Sequence, residues 1–163
     1  NWKHSDHFFE EIAKSCDAMA TEGWQVVFLP FHYPEDVEAG RAIASLMKQD
    51  AVVLSGNYSP EDTMAILKNA DLIMGMRLHS LIMGAALLKP MVGLSYDPKV
   101  TSFMQLLRQP DCYAVDSVES AQLIRSMKRL QEQTEKENIK RDAKYAGFGL
   151  VAFELAIIFF ASI

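Results

Sequence analysis

Apolar residues recur along this chain in two alternating rhythms, stretches at helical spacing and short unbroken runs. Phe8, Phe9, Ile12, Cys16 and Met19 or Ala20 line one face of a first helix, which Ser5 can cap and Gly23 ends. Residues 24–31 follow as a nearly continuous apolar run. Such a run is too apolar for a half-exposed strand, so it is predicted to be central in a sheet covered on both faces. Pro34, Glu35 and Asp36 open a second helix to about residue 48, with acids in the first turn where the macrodipole favours them. Residues 51–54 make a short strand. Ser59-Pro60-Glu61-Asp62 is a helix start with Ser as cap and Pro at the first helical position. A strand over 72–76, a helix over about 78–88 and a strand over 91–95 complete another strand-helix-strand unit. A helix near 100–108, a strand at 112–115 and a long charged helix over about 118–144 close the pattern.

Strands alternating with helices in this order predict a parallel sheet with right-handed crossovers, a doubly wound, Rossmann-like α/β domain over residues 1–144. Ligands of such sheets bind beyond the carboxyl ends of the strands. That rule points at the loops 30–36, 55–59, 76–80 and 95–99. No internal repeat or low-complexity segment interrupts the domain, and the mixed charges of residues 128–144 fit a solvated helix face. Residues 145–163 stand apart as an apolar tail of uncertain origin, broken only by Glu154. Their roughly 19 residues reach the length of a membrane span. Glu154 costs a spanning helix about 2.5 to 3.5 kcal/mol. A buried terminal helix, a membrane anchor and a non-native tail are the three readings open for this segment.

The 163 residues suffice for one domain with a sizeable core. A net charge of -5 argues against a nucleic-acid partner, while the 16 basic residues remain for local use. Cys16 and Cys112 lie far apart and form no C-x-x-C, so neither a disulfide scaffold nor a metal site is expected, and a reducing, cytoplasmic setting follows. The chain opens on Asn1-Trp2-Lys3-His4 with no Met and no signal segment, which reads as a piece of a longer protein.

The chemistry concentrates at residues 71–85. There an apolar run ends in Arg77 and His79, and a second apolar run at helical spacing follows at once. A helix start offers unsatisfied N-H donors and the positive end of a dipole to an anion. Arg77 adds a planar fork suited to carboxylate or phosphate, or else pairs with Asp71 or a loop acid. His79 alone could be an ordinary core or capping histidine. Beside Arg77 and the helix terminus its neutral form is favoured, and a bound phosphate reverses that, so it becomes an acid when an anionic substrate arrives. Lys99 follows Pro98, which restricts Asp97 to extended backbone. Alone it is a surface lysine; joined to Arg77 and His79 it is a second phosphate cation. These three are the candidate catalytic residues. Arg77, Leu78, Ser80, Lys99, His32, Ser95 and Tyr96 form the candidate substrate-binding set, with loop packing as the simpler role for His32. No G-x-G-x-x-G, Walker loop, H-E-x-x-H or G-x-S-x-G occurs.

The segment from Asp71 to Ser80, together with Gly93-Leu-Ser-Tyr-Asp97-Pro98-Lys99-Val100 and with Leu29-Pro30-Phe31-His32 and Asp36 upstream, resembles the C-terminal half of a bacterial polysaccharide pyruvyl transferase of the CsaB type. The resemblance covers about residues 2–125. It implies two Rossmann-like halves arranged as in GT-B glycosyltransferases, with one half here and the active site in the cleft between them. It implies transfer of the pyruvyl group of phosphoenolpyruvate to a cell-wall or exopolysaccharide sugar, closing a cyclic ketal and releasing phosphate. By position, the family's functional Arg, His and Lys fall on Arg77, His79 and Lys99. The donor is phosphoenolpyruvate with no further cofactor, and the partners are a glycan or lipid-linked sugar and the missing N-terminal half of the same protein. The expected location is cytoplasmic, in peripheral contact with the inner face of the membrane. Two departures are the absent N-terminal half, which supplies an acidic residue and much of the acceptor site, and a tail unlike the family's end. The rivals are the nucleotide-sugar-binding half of a GT-B glycosyltransferase, with Asp116 or Glu119 on the ribose, and a non-catalytic interaction module.

Overall fold

The structure is a computed structural model that describes residues 6–144 and 155–158. In chain order the elements are α1 (Asp6–Thr21), β1 (Gln25–Phe28), α2 (Glu35–Leu46), β2 (Ala51–Val53), α3 (Pro60–Lys68), β3 (Leu72–Gly75), α4 (Leu78–Ala86), β4 (Met91–Ser95), α5 (Pro98–Leu106), β5 (Cys112–Ala114), α6 (Ser120–Lys144) and β6 (Leu155–Ile158). The strands form one six-stranded sheet in the order β2-β1-β6-β3-β4-β5, and each pairing in it is parallel. This is a doubly wound, Rossmann-like α/β sheet.

Side-chain alternation along the strands divides the core into two layers. Val26 and Phe28 of β1 and Leu72 and Met74 of β3 face Ile12 and Cys16 of α1, Ile43 of α2 and Leu123 and Met127 of α6. Val27 of β1 and Ile73 of β3 face the other way, onto Leu67 of α3, Leu81 of α4 and Met104 of α5. Coverage of both faces is why the strands read as unbroken apolar runs rather than alternating ones.

Several boundaries differ from the sequence pattern, each for a local reason. The apolar run predicts a strand to residue 31, but β1 ends at Phe28. Pro30 has no N-H for a ladder, and the N-H groups of Phe31 and His32 donate to the Asp36 carboxylate instead. Helix α2 stops at Leu46, and the N-H groups of Lys48 and Gln49 donate to Asp17 of α1. Helix α3 begins as its sequence dictates, with a reciprocal capping box between Ser59 and Asp62 and Pro60 in the first turn. Helix α5 begins two residues before the apolar rhythm does, because Asp97 caps it through the Lys99 N-H and Pro98 fits its first turn. The start of α6 is held from a distance: the Ser120 N-H donates to Glu11 of α1 at 2.6 Å.

The tail departs most. Residues 155–158, Leu-Ala-Ile-Ile, form β6 between β1 and β3, so a terminal helix does not cover these four positions. Periodicity does not separate helix from strand in so short an apolar run, and the paired β-branched residues Ile157 and Ile158 favour the strand. The rest of the tail and the Ser5 cap lie outside the described residues. Among the described residues, no helix is long and apolar enough to cross a membrane.

Candidate functional site

Strand β3 delivers its last residues to the carboxyl edge of the sheet, where the chain turns directly into α4. Met76 is fully buried beneath the turn, and Arg77 occupies the cap position of α4 with extended backbone, φ -81° and ψ 136°. No side chain caps this helix start. Of its first-turn N-H groups, that of Ser80 donates to the Arg77 carbonyl at 3.1 Å, and the positive end of the helix dipole lies on the strand-tip side. The tight turn depends on Gly75: a Cβ there would lie 2.6 Å from the Ser80 hydroxyl and 2.8 Å from Leu81.

Arg77 is aimed by a carboxylate from α2. Its Nε donates to Asp36 Oδ2 at 3.2 Å and its Nη2 to Asp36 Oδ1 at 3.1 Å. The same Oδ2 accepts from the N-H groups of Phe31 at 2.9 Å and His32 at 2.7 Å. The Asp36 side chain is 0% exposed and that of Arg77 is 18% exposed, so the pair sits largely out of water, where two-point geometry and added N-H donors offset the cost of burying charge. Asp36 thus ties the 30–34 loop to the tip of β3. Its place in the first turn of α2 is as the sequence implies, but its burial and its hold on Arg77 are not. The only sequence signal for it is its membership of the motif Leu29-Pro30-Phe31-His32 with Asp36.

Arg77, His79 and Lys99 line one cavity of about 210 Å³, together with Leu78, Tyr96, Asp97 and Val100. The tips of β3 and β4 thus bring the guanidinium, imidazole and ammonium to a common space at the starts of α4 and α5. His79 and Lys99 are both exposed, so His79 is not a core histidine. Arg77 and His79 also line a second cavity of about 400 Å³, whose other walls include Phe31, His32, Tyr33, Asn57 and Tyr58.

The remaining candidates separate. Leu78 and Tyr96 face the smaller cavity. Ser80 is fully buried and its hydroxyl donates to the Arg77 carbonyl at 2.7 Å. The α4 turn thus occupies its hydroxyl and packs it under Gly75. Ser95 braces its own loop, with its hydroxyl 3.1 Å from the Asp97 carbonyl and 2.7 Å from the Thr101 hydroxyl. It lines a further cavity with Tyr96, Asp97 and Thr101. His32 lies on the larger cavity, its Nδ1 3.0 Å from Glu35 Oε2 and its side chain 54% exposed. Asp116 and Glu119 are exposed and line neither of the two cavities that share Arg77 and His79. Among the described residues, no three His, Cys, Asp or Glu side chains are grouped to hold a metal ion.

A parallel sheet whose adjacent tips present an uncapped helix start and three cationic or titratable side chains defines a Rossmann-like module with a candidate anion site. The sequence profile of polysaccharide pyruvyl transferases matches residues 1–98, more than half of the 163-residue chain. The chain therefore belongs to the polysaccharide pyruvyl transferase family, a family of transferases. The matched span includes Asp36, Arg77 and His79 and ends one residue before Lys99. No curated protein and no solved structure matches the chain.

Proposed function

We propose that this chain carries the donor side of pyruvyl transfer from phosphoenolpyruvate to two hydroxyls of a sugar. The observation that carries the proposal is the meeting of Arg77, His79 and Lys99 around one small cavity at an uncapped helix start. Phosphoenolpyruvate has two anionic ends, and a carboxylate and a phosphate call for two separate cations. Arg77, its Nε and Nη2 held by Asp36, offers a fixed positive charge, and Lys99 offers a point charge on a flexible stem.

His79 is the acid in this mechanism. It protonates the donor's methylene carbon, which becomes the methyl group and leaves C2 electrophilic. One sugar hydroxyl adds to C2, the bond from C2 to the phosphate oxygen breaks, and the second hydroxyl closes the ketal. Of the two hydroxyl protons lost, one balances the proton placed on the methyl carbon and the other leaves with phosphate. Fixed positive groups at the departing phosphate are the largest electrostatic contribution expected. A glycan or lipid-linked acceptor, a GT-B-like arrangement with an N-terminal half facing the strand tips, and a cytoplasmic location at the inner face of the membrane belong to the same proposal.

Thermal unfolding of the chain tests the donor. Phosphoenolpyruvate at millimolar concentration is expected to raise Tm, nucleotide sugars are not, and Lys99→Ala is expected to remove the rise. Stabilisation by nucleotide sugars with none by phosphoenolpyruvate would overturn the reading in favour of a glycosyltransferase half.

A further inference from the structure

Helices α4 and α5 end in the same way, and each end carries a leucine that the fold does not use. In α4 the Lys89 N-H donates to the Gly84 carbonyl and the Leu88 N-H to Ala85; in α5 the Gln109 N-H donates to Met104 and the Arg108 N-H to Gln105. This pair of bonds requires a left-handed residue just past the helix, a place that glycine fills without strain. Leu88 and Arg108 stand there instead, with φ 56° and φ 54°. Leu88 is moreover 91% exposed, and Leu106 at the end of α5 is 78% exposed. An apolar side chain in water on strained backbone adds little to the stability of its own chain, so its partner lies outside it.

The two leucines share one edge of the molecule. In a parallel sheet each crossover helix runs back from the strand tips to the start of the next strand. Helices α3, α4 and α5 therefore all end at the amino edge, opposite the tips that bring Arg77, His79 and Lys99 together. All three cover the same face of the sheet, through Leu67, Leu81 and Met104. Packed neighbours of this kind lie about 10 Å apart, and the Lys89 ammonium ties two of the ends by donating to the Lys68 carbonyl at 2.8 Å. Cations surround the leucines: Lys68 and Arg108 are exposed, and Lys89 adjoins Leu88. Of the acids in these turns, Asp71 acts on Lys89, and Asp111 is buried and holds Ser126 and Arg129. The cations outweigh the acids at this edge.

We propose that the amino edge docks on an anionic lipid surface, with Leu88 and Leu106 entering the apolar boundary and Lys68 and Arg108 meeting lipid phosphates. The core of a protein interface is a contiguous apolar patch depleted of lysine. Separate protruding leucines ringed by long basic side chains match instead a phase whose negative charge lies just outside its apolar interior. Two leucines give a reversible attachment that lies on the membrane rather than spanning it. Strand β4, five residues long, extends about 17 Å. The strand-tip site thus faces away from the bilayer and stays open to a soluble donor. The inference deepens the membrane location proposed above and rests on that reading for the choice of leaflet; the lipid contact itself does not depend on the donor.

Co-sedimentation of the full chain with vesicles tests this, using phosphatidylcholine alone and phosphatidylcholine mixed with phosphatidylglycerol. Binding to the mixed vesicles is expected, about tenfold weaker on phosphatidylcholine alone and falling as salt is raised. Leu88→Gly and Leu106→Gln are each expected to weaken it about tenfold, and Lys68→Gln and Arg108→Gln each about fivefold. Leu88→Gly is expected not to lower Tm, because glycine relieves the left-handed backbone, so its loss of lipid binding is not a loss of fold. No binding to the mixed vesicles, equal binding to the two lipids, or binding that survives Leu88→Gly and Leu106→Gln together overturns the inference. So does a dimer that Leu88→Gly dissociates in the absence of any lipid binding, which assigns the edge to a second copy of the chain. Lipid binding by a chain whose Tm ignores phosphoenolpyruvate upholds the docking edge while sinking the donor reading; stabilisation by phosphoenolpyruvate in a chain that ignores lipid does the reverse.

Discussion

The carboxylate of Asp36 and the guanidinium of Arg77 meet across 41 positions of sequence, joined by two hydrogen bonds of 3.2 and 3.1 Å. The contact links the first turn of α2 to the tip of β3, and through Phe31 and His32 it sets the loop beside them. Removing the carboxylate leaves a largely buried guanidinium and two N-H groups without their acceptor. Asp36→Ala is therefore expected to destabilise the fold by about 3 kcal/mol, measured by urea denaturation. Asp36→Asn keeps part of the N-H bonding and should fall between the variant and the parent. A loss below about 0.5 kcal/mol, the level of an ordinary surface change, would show that the pair contributes little.

Lys99 and His79 are exposed, so their removal is expected to change stability by no more than about 0.5 kcal/mol. Their functional effects should diverge. Lys99→Ala is expected to weaken phosphoenolpyruvate binding about tenfold or more, as loss of a charge-assisted contact does, read by calorimetry. His79→Ala in the complete enzyme should retain most donor binding and lose about 100-fold or more of transfer. Unchanged turnover in that variant removes the imidazole from the chemistry.

Glu11 makes the fold sensitive to acid. The hydrogen bond from Lys14, followed by the Ser120 N-H, lowers its carboxyl from the ordinary 4.5 to about 2, against the opposing effect of burial. A carboxyl lowered in the folded state contributes stability that is full above the unfolded value and drains away as pH falls through the folded one. Thermal unfolding between pH 6 and pH 2 is expected to show this loss below about pH 4.5, and Glu11→Gln should flatten that part of the profile. Because Glu11 also caps α6, the substitution is expected to cost about 1 kcal/mol at neutral pH. A parent and variant with parallel pH profiles would exclude Glu11 as the source.

Strand β6 joins the two parts of the sheet, β2-β1 and β3-β4-β5. A chain ending at Lys144 would leave the facing edges of β1 and β3 without their ladder partners. Amide hydrogen exchange in β1 and β3 is expected to rise sharply in that truncation, with a loss of cooperative thermal unfolding. Equal protection in the two chains would show that residues 155–158 are dispensable to the sheet.

The sequence by itself determined the succession of elements from α1 to α6 and the two-sided burial of the central strands, because both follow from periodicity within a few residues. Ser59 with Asp62, Asp97 with Pro98, and the apolar residues of β1 and β3 act on their own neighbours, and local chemistry is what a linear string displays. It also marked the two strand tips that carry Arg77, His79 and Lys99. Only the tertiary structure decided that Arg77 is held by Asp36, that Ser80 turns inward beneath Gly75, and that the space beside His79 divides into two cavities. It also decided that residues 155–158 enter the middle of the sheet. Each of these joins groups from separate elements or chooses between strand and helix in a short apolar run, and neither choice is encoded by spacing along the chain. They are settled by which surfaces exclude water together and which buried donors find an acceptor.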